Sequence, residues 1–277
     1  MLRSLENMRG STVRANDGNI GKVSDFLFDM IQWTVRYMGV DISDWHSRHE
    51  VLISPVAFGK PTQGVFPVDL TRKDVAHSPD VDSREPISRS KEEELVQYWG
   101  WPEYWGTLPG MDRPALPEHF PPAGGAIRPS VGPPLSPDQY QPGGGMLSKE
   151  TAADERTTAR IKHDSRCCPL QSTKEIHGYR VHATDGMIGH VSDFIADTSA
   201  NWMIRYIVVS TKNWIPGKKV LLAPAWSREV RWEKQEMVVD HTRDEIKNSP
   251  EFNPDEPVNR DYEETLFDYY GRKRYWK

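Results

Sequence analysis

The sequence predicts an all-β-dominated protein in which two small β-barrels, each followed by a short helix, are joined by a Pro/Gly-rich linker. Three observations predict it: one pattern occurs twice, each occurrence is built of short β-prone runs closed by turn residues, and the stretch between them has almost no periodic apolar pattern. The chain has 277 residues, enough for two modest domains at about 100–150 residues each.

The repeat is legible in register. RANDGNIGKVSDFLFD (residues 14–29) returns as HATDGMIGHVSDFIAD (182–197), an offset of 168. RYMGV (36–40) matches RYIVV (205–209) one residue further on. At an offset of 171, VDLTRKDVAHSP (68–79) matches VDHTRDEIKNSP (239–250), and YWGWPEYW (98–105) matches YYGRKRYW (269–276). Three inserted residues over such a span mark two diverged copies of one domain. The expected organisation is residues 1–105 as the first copy, 106–171 as linker and 172–277 as the second copy.

Within each copy the elements follow in order. Asp17-Gly18 and Asp185-Gly186 lie between β-prone flanks; Asp-Gly favours a tight hairpin because both residues tolerate φ > 0. Gly21 and Gly189 then interrupt the next strand, as at a bulge or sharp bend. WTVRYMGVDI (33–42) and WMIRYIVV (202–209) read as long, mostly buried strands, VLISP (51–55) and VLLAP (220–224) as shorter strands closed by proline, and GVFPVDL (64–70) and EMVVD (236–240) as another. Five or six short strands with turns this close suggest a small closed or nearly closed barrel. Helices are expected over 90–99 and 261–270, with acidic residues crowding the first turn, where the helix dipole favours them.

The stretch 106–147 is rich in proline and glycine, cannot bury enough apolar surface to offset its ordering entropy, and is expected to be disordered. Residues 148–171 are polar, with a short helix expected near 150–161. A flexible chain of ~65 residues spans about 45 Å, from roughly 5–6 Å times the root of its length. The two copies are therefore free either to touch or to grip separate partners.

These residues carry a resemblance. G-x-x-V-x-x-x-D-G-x-I-G-x-V-x-D-F, followed by an R-Y-plus-apolar strand, V-L-I/L-x-P and a closing S-P, occurs in both copies and is similar to the PRC-barrel family over about 75–85 residues of each. That family includes the cytoplasmic domain of the photosynthetic reaction-centre H subunit and the C-terminal domain of a ribosome maturation factor. The resemblance implies a six-stranded barrel used for protein contacts, not a catalyst. The sequence has neither the membrane helix of the first nor the N-terminal domain of the second. The aromatic tail of each copy resembles the end of soluble tandem members.

Composition narrows the function classes. With 35 basic and 40 acidic side chains the net charge is −5, giving no global excess to hold nucleic acid or an anionic membrane. No apolar run approaches the ~18–20 residues of a membrane helix, and the start lacks a signal-peptide stretch, so a cytoplasmic location is expected. Cys167 and Cys168 are neighbours and the only cysteines, which excludes a disulfide framework. With His163 and Asp164 they have poor geometry for a metal and no second pair. Gly143, Gly144 and Gly145 lie in polar linker, not after a strand, and no Ser/His/Asp order or P-loop occurs. Asp25 with Asp29, and Asp193 with Asp197, are carboxylates four apart on one strand; acid/base work or a hard cation is weighed against a solvent face or a bond to a neighbouring turn. The sequence thus assigns no catalytic residue, cofactor or metal.

The aromatics are the candidate interface: Trp99, Trp101, Tyr104 and Trp105 after the first barrel, Tyr269, Tyr270, Tyr275 and Trp276 after the second. Tyr and Trp are common interface anchors. The tails either fold back over a barrel, which is the favoured alternative, or meet a protein partner or a membrane surface. Arg272, Lys273, Arg274 and Lys277 make only the second tail basic. A stacking groove for nucleic acid would need basic residues among the rings of both, so nucleic acid is not expected. The expected function is a non-catalytic binding or assembly module whose partner is another protein or itself, as an intramolecular pseudo-dimer or a homodimer. The alternative is a soluble accessory of a photosynthetic or respiratory electron-transfer complex, docked peripherally on the membrane and tuning proton access to a quinone site.

Overall fold

The computed structural model of the protein describes residues 1–47, 50–62, 64–81, 87–105, 170–199, 201–211 and 218–276. The linker up to residue 169, the helix expected near 150–161, Gly143, Gly144, Gly145, His163, Asp164, Cys167 and Cys168 lie outside the described residues. Residues 1–101 and 169–277 form one unit and residues 102–168 another. In the second unit only residues 102–105 are described, where Tyr104 and Trp105 meet edge to face with ring centroids 4.9 Å apart.

The first unit is sheet-dominated. Its first copy supplies β1 (Leu2–Ser4), β2 (Thr12–Ala15), β3 (Gly18–Asp29), β4 (Thr34–Asp41), β5 (Glu50–Ile53) and β6 (Val65–Pro67). The second supplies β7 (Gln171–Ser172), β8 (Arg180–Ala183), β9 (Gly186–Asp197), β10 (Met203–Ser210), β11 (Lys219–Leu222), β12 (Ser227–Arg231) and β13 (Glu236–Val239). All thirteen belong to one curled sheet of order β12-β13-β8-β9-β10-β4-β3-β2-β6, with β5 beside β4 and β11 beside β10. The strands of the two copies therefore run into a single hydrogen-bonded sheet through β4 and β10. These two are buried along nearly their whole length, which is why their sequences are apolar runs with little alternation.

Among the described residues the first copy carries the helices α1 (Arg72–His77) and α2 (Arg89–Trp99), and the second the single turn α3 (Thr173–Ile176) followed by α4 (Arg243–Asn248) and α5 (Arg260–Tyr269). The short helices α1 and α4 fall in the matched VDLTRKDVAHSP and VDHTRDEIKNSP segments. Both start with a capping box, Thr71 with Asp74 and Thr242 with Glu245, a feature that contributes about 1 kcal/mol per cap. Helix α2 ends at Gly100 in the left-handed conformation, φ +68°.

The Asp-Gly hairpins form by a route the sequence did not suggest. The two residues between β2 and β3 are Asn16 and Asp17, and neither has positive φ; the glycine alone does, at +141° for Gly18 and +138° for Gly186. The aspartate is used elsewhere. Asp17 Oδ1 accepts from the backbone N–H of Arg72 at 2.9 Å, and Asp185 Oδ1 from that of Arg243 at 2.8 Å, so each turn ties down the first residue of the short helix. Beyond the turn, register shifts opposite Ile20 and Ile188 bulge the strand. Gly21 and Gly189 follow because the neighbouring backbone is too close for a side chain: a Cβ would lie 1.9 Å from Asp41 O and 2.1 Å from Ser210 O, respectively.

The core is one cluster drawn from both copies. Phe26, Phe28, Val40 and Phe66 of the first pack in the same body as Phe194, Tyr206, Val209 and Met237 of the second.

Candidate functional site

The residues that unite the copies are placed by short N-terminal arms. Leu2, Ser4 and Met8 of the first arm correspond to Leu170, Ser172 and Ile176 of the second at the offset of 168. Each arm pairs with the other copy: β1 runs antiparallel to β9, with Ser4 opposite Ile195, and β7 runs antiparallel to β3, with Ser172 opposite Leu27. The arms are reciprocally exchanged.

Each exchanged arm ends on a carboxylate of the other copy, buried Asp25 and half-buried Asp193. Ser4 Oγ donates to Asp193 Oδ2 and Ser172 Oγ to Asp25 Oδ2, both at 2.5 Å. Asp193 also accepts from the backbone N–H of Glu6 at 3.0 Å and of Phe194 at 2.6 Å. Asp25 accepts from Thr173 Oγ1 at 3.0 Å and from the N–H groups of Lys174 at 3.1 Å and Phe26 at 2.8 Å. The Arg9 guanidinium stands 3.6 Å from Asp25 and donates to Thr173 Oγ1. Burial pushes the Asp193 carboxyl above the usual carboxylate range, against the pull of its three donors. The other two acids serve separate partners: Asp29 pairs with Arg36 at 2.6 Å, and Asp197 with the Met1 ammonium at 2.6 Å. The sequence had offered a neighbouring turn as the partner of these aspartates; for Asp25 and Asp193 the partner is the arm of the other copy.

A second junction lies at the tips of the β3–β4 and β9–β10 hairpins. The Val35 N–H donates to Trp202 O at 3.0 Å and the Ile204 N–H to Trp33 O at 2.7 Å, with Thr34 opposite Met203. Trp33 and Trp202 have φ +50° and +59°, a conformation that costs a bulky L residue about 1–2 kcal/mol. Packing offsets it. Trp202 lies among Phe26, Phe58 and Phe66 of the other copy, with centroids 5.7–6.2 Å away, and Trp33 stacks on Phe28 at 5.3 Å.

The aromatic tails of the first unit fold back on their own copies. Trp99 stacks on Trp101 at 5.0 Å, and Trp101 lies against Tyr37 at 6.4 Å. In the second copy Tyr270 lies 4.7 Å from Trp226, and Trp276 lies 5.1 Å from Phe267. Arg205 covers Tyr275 at 4.1 Å and Arg260 covers Trp276 at 4.2 Å, cation–π contacts that add about 0.5–2 kcal/mol each. Each C-terminal helix carries a buried acid paired with an arginine three residues earlier on the same helix: Glu92 with Arg89, and Glu263 with Arg260, at 3.0 Å. Glu263 Oε1 also accepts from Tyr206 and Tyr275 hydroxyls at 2.6 and 2.7 Å. Burial, then the bond to Glu263, drives the Tyr206 phenol far above its ordinary value and pushes Tyr275 up to about 12.

Of the eight aromatic candidates, only Tyr269 and Tyr275 are exposed; Tyr104 and Trp105 belong to the second unit. Tyr98 is an addition that the sequence did not single out. It occupies the position of Tyr269, is likewise exposed, and donates to Asp74 O as Tyr269 donates to Glu245 O, both at 2.8 Å. Its signal was present in the alignment of the two copies, which pairs YW with YY. Among the described residues no group of three His, Cys, Asp or Glu side chains could hold a metal ion, and no helix is long and apolar enough to cross a membrane. No family model and no curated protein matches the chain.

Proposed function

We propose that the protein is a non-catalytic binding and assembly module made of two PRC-type barrels fused as an intramolecular pseudo-dimer. The observation that carries this reading is the reciprocal exchange of the N-terminal arms, sealed by Ser4–Asp193 and Ser172–Asp25. Asp25, Asp193 and Glu263 are engaged in bonds between elements of the fold, the use expected of a scaffold. The likeness of both copies to PRC barrels supports six strands per barrel and a role in protein contacts. With the tails folded inward, the surface offered twice is the one around Tyr98 and Tyr269, exposed at equivalent positions. A protein partner with apolar and hydrogen-bonding groups would meet both.

The test is affinity purification of the tagged full chain from its source cells, at low and at high salt, from soluble and membrane fractions. A partner at fixed stoichiometry, lost when Tyr98 and Tyr269 are both changed to serine while the unfolding free energy changes by less than about 1 kcal/mol, supports the reading. A membrane electron-transfer complex as that partner would favour the accessory-subunit alternative. Robust turnover of a substrate by the purified chain would overturn both.

A further inference from the structure

His241 is a buried titratable group with no role in joining the two copies. Its position in the first copy is taken by Leu70, which is buried too, and the backbone around them is the same: Leu70 O accepts from the Asn16 N–H and His241 O from the Thr184 N–H, both at 2.9 Å. An apolar side chain thus satisfies the fold at this position, and the imidazole adds something else. Its ring packs edge-on to Trp226 at 5.6 Å and against Tyr270 at 4.4 Å. Tyr270 caps the C-terminus of α5. The imidazole Nε2 is buried and has no hydrogen-bond partner. The first copy has Ala57 and Trp99 where the second has Trp226 and Tyr270, so the histidine sits in an aromatic clasp particular to the second copy.

We infer that His241 is an acid-sensitive latch: its protonation loosens α5 and the tail that carries Tyr270, Tyr275 and Trp276, while the equivalent helix α2 of the first copy stays docked. The charged groups facing the ring decide the direction. From α4, Glu245 lies 3.8 Å from Nδ1 and favours the cation, but its side chain is largely exposed and its attraction is screened. Asp240, on the adjoining chain, is engaged by Arg228 and Arg272. Arg272, from the tail, repels an imidazolium. Tyr270 offers a ring face, a modest gain. Against these stands a charged N–H at Nε2 with no acceptor in a buried site, the costliest of the contributions. Burial and then Arg272 hold the His241 value below the ordinary 6.5. The sign follows: the folded state binds fewer protons than the unfolded one, so stability of the docked helix falls as pH drops below about 6.5.

Hydrogen exchange of the full chain, corrected for the intrinsic pH dependence of exchange, tests this between pH 7.5 and 5. Exchange over residues 260–276 should rise severalfold at the acid end while that over residues 89–99 changes little. The H241L variant, which installs the residue of the first copy, should abolish the rise. Unchanged exchange over 260–276 in the wild-type chain, an equal rise in both helices, or a rise that persists in H241L would overturn the inference. The comparison of the two helices within the wild-type protein needs no variant, so misfolding of H241L would not rescue it.

Discussion

Asp25 offers the most demanding test of how the two copies are joined. Its carboxylate accepts four hydrogen bonds, three of them from the exchanged arm: Ser172 Oγ, Thr173 Oγ1 and the Lys174 N–H. A hydrogen bond to a charged group is worth about 1.5–3 kcal/mol net. These bonds are not additive, and removal of the carboxylate also relieves the cost of burying it, so Asp25→Ala should destabilise the chain by about 3–5 kcal/mol. Ser172→Ala leaves the other donors in place and should cost about 1–2 kcal/mol. In a double-mutant cycle the pair should be coupled by about 1 kcal/mol or more. The assay is urea denaturation of the full chain, followed by tryptophan fluorescence and circular dichroism. Because the arms are exchanged and the core is shared, both probes should report one coincident transition. A cost below ~0.5 kcal/mol for Asp25→Ala, or no coupling, would refute the reasoning.

Three further outcomes follow from the same geometry. Gly21→Ala and Gly189→Ala force a methyl group against a neighbouring carbonyl and should each cost about 2–4 kcal/mol in thermal melts; Gly10→Ala, where a Cβ meets nothing within 4 Å, should cost about 1 kcal/mol from its positive φ alone. Trp202→Ala empties a site among Phe26, Phe58 and Phe66 and should cost about 3–5 kcal/mol, with faster hydrogen exchange in β3 and β6, strands of the other copy. Burial raises the Asp193 value, so this group contributes stability below its unfolded value of ~3.9 that is lost as pH rises through the higher folded value. Urea midpoints across that window should therefore fall for the wild-type chain relative to Asp193→Asn as pH rises, and parallel curves would contradict the assignment.

The fold was readable where one local signal sufficed. The apolar runs at 33–42 and 202–209 are strands β4 and β10, and the acidic starts near residues 90 and 261 open α2 and α5, each one residue earlier than expected. The arms were not readable. A two- or three-residue strand such as LRS or QS carries no periodicity, and its partner lies in the other copy, Ser4 opposite Ile195 and Ser172 opposite Leu27. Helices α1 and α4 escaped because six residues give too little amphipathic pattern, although the T-x-x-D and T-x-x-E capping boxes were in view. The Asp-Gly pairs marked the hairpins but hid the reason for the aspartate, a bond to a helix that had not been recognised. Asp25 and Asp193 were visible as repeated acids. Apart from the N–H of the next residue, their hydrogen-bond donors belong to the opposite copy, and no spacing within one copy points to them.

The joint made by the exchanged arms, the hairpin tips and the shared core should hold the two copies together without a covalent link between them. A protease site introduced between residues 106 and 169 of the full chain, cut to completion in native buffer, tests it directly by size-exclusion chromatography and native mass spectrometry at micromolar concentration. The exchanged arms, the crossed hairpin tips and the shared core predict that both halves elute as one particle with the mass of the intact chain, and separate only with Asp25→Ala or denaturant. Two independent halves eluting apart from the wild-type chain would contradict the account.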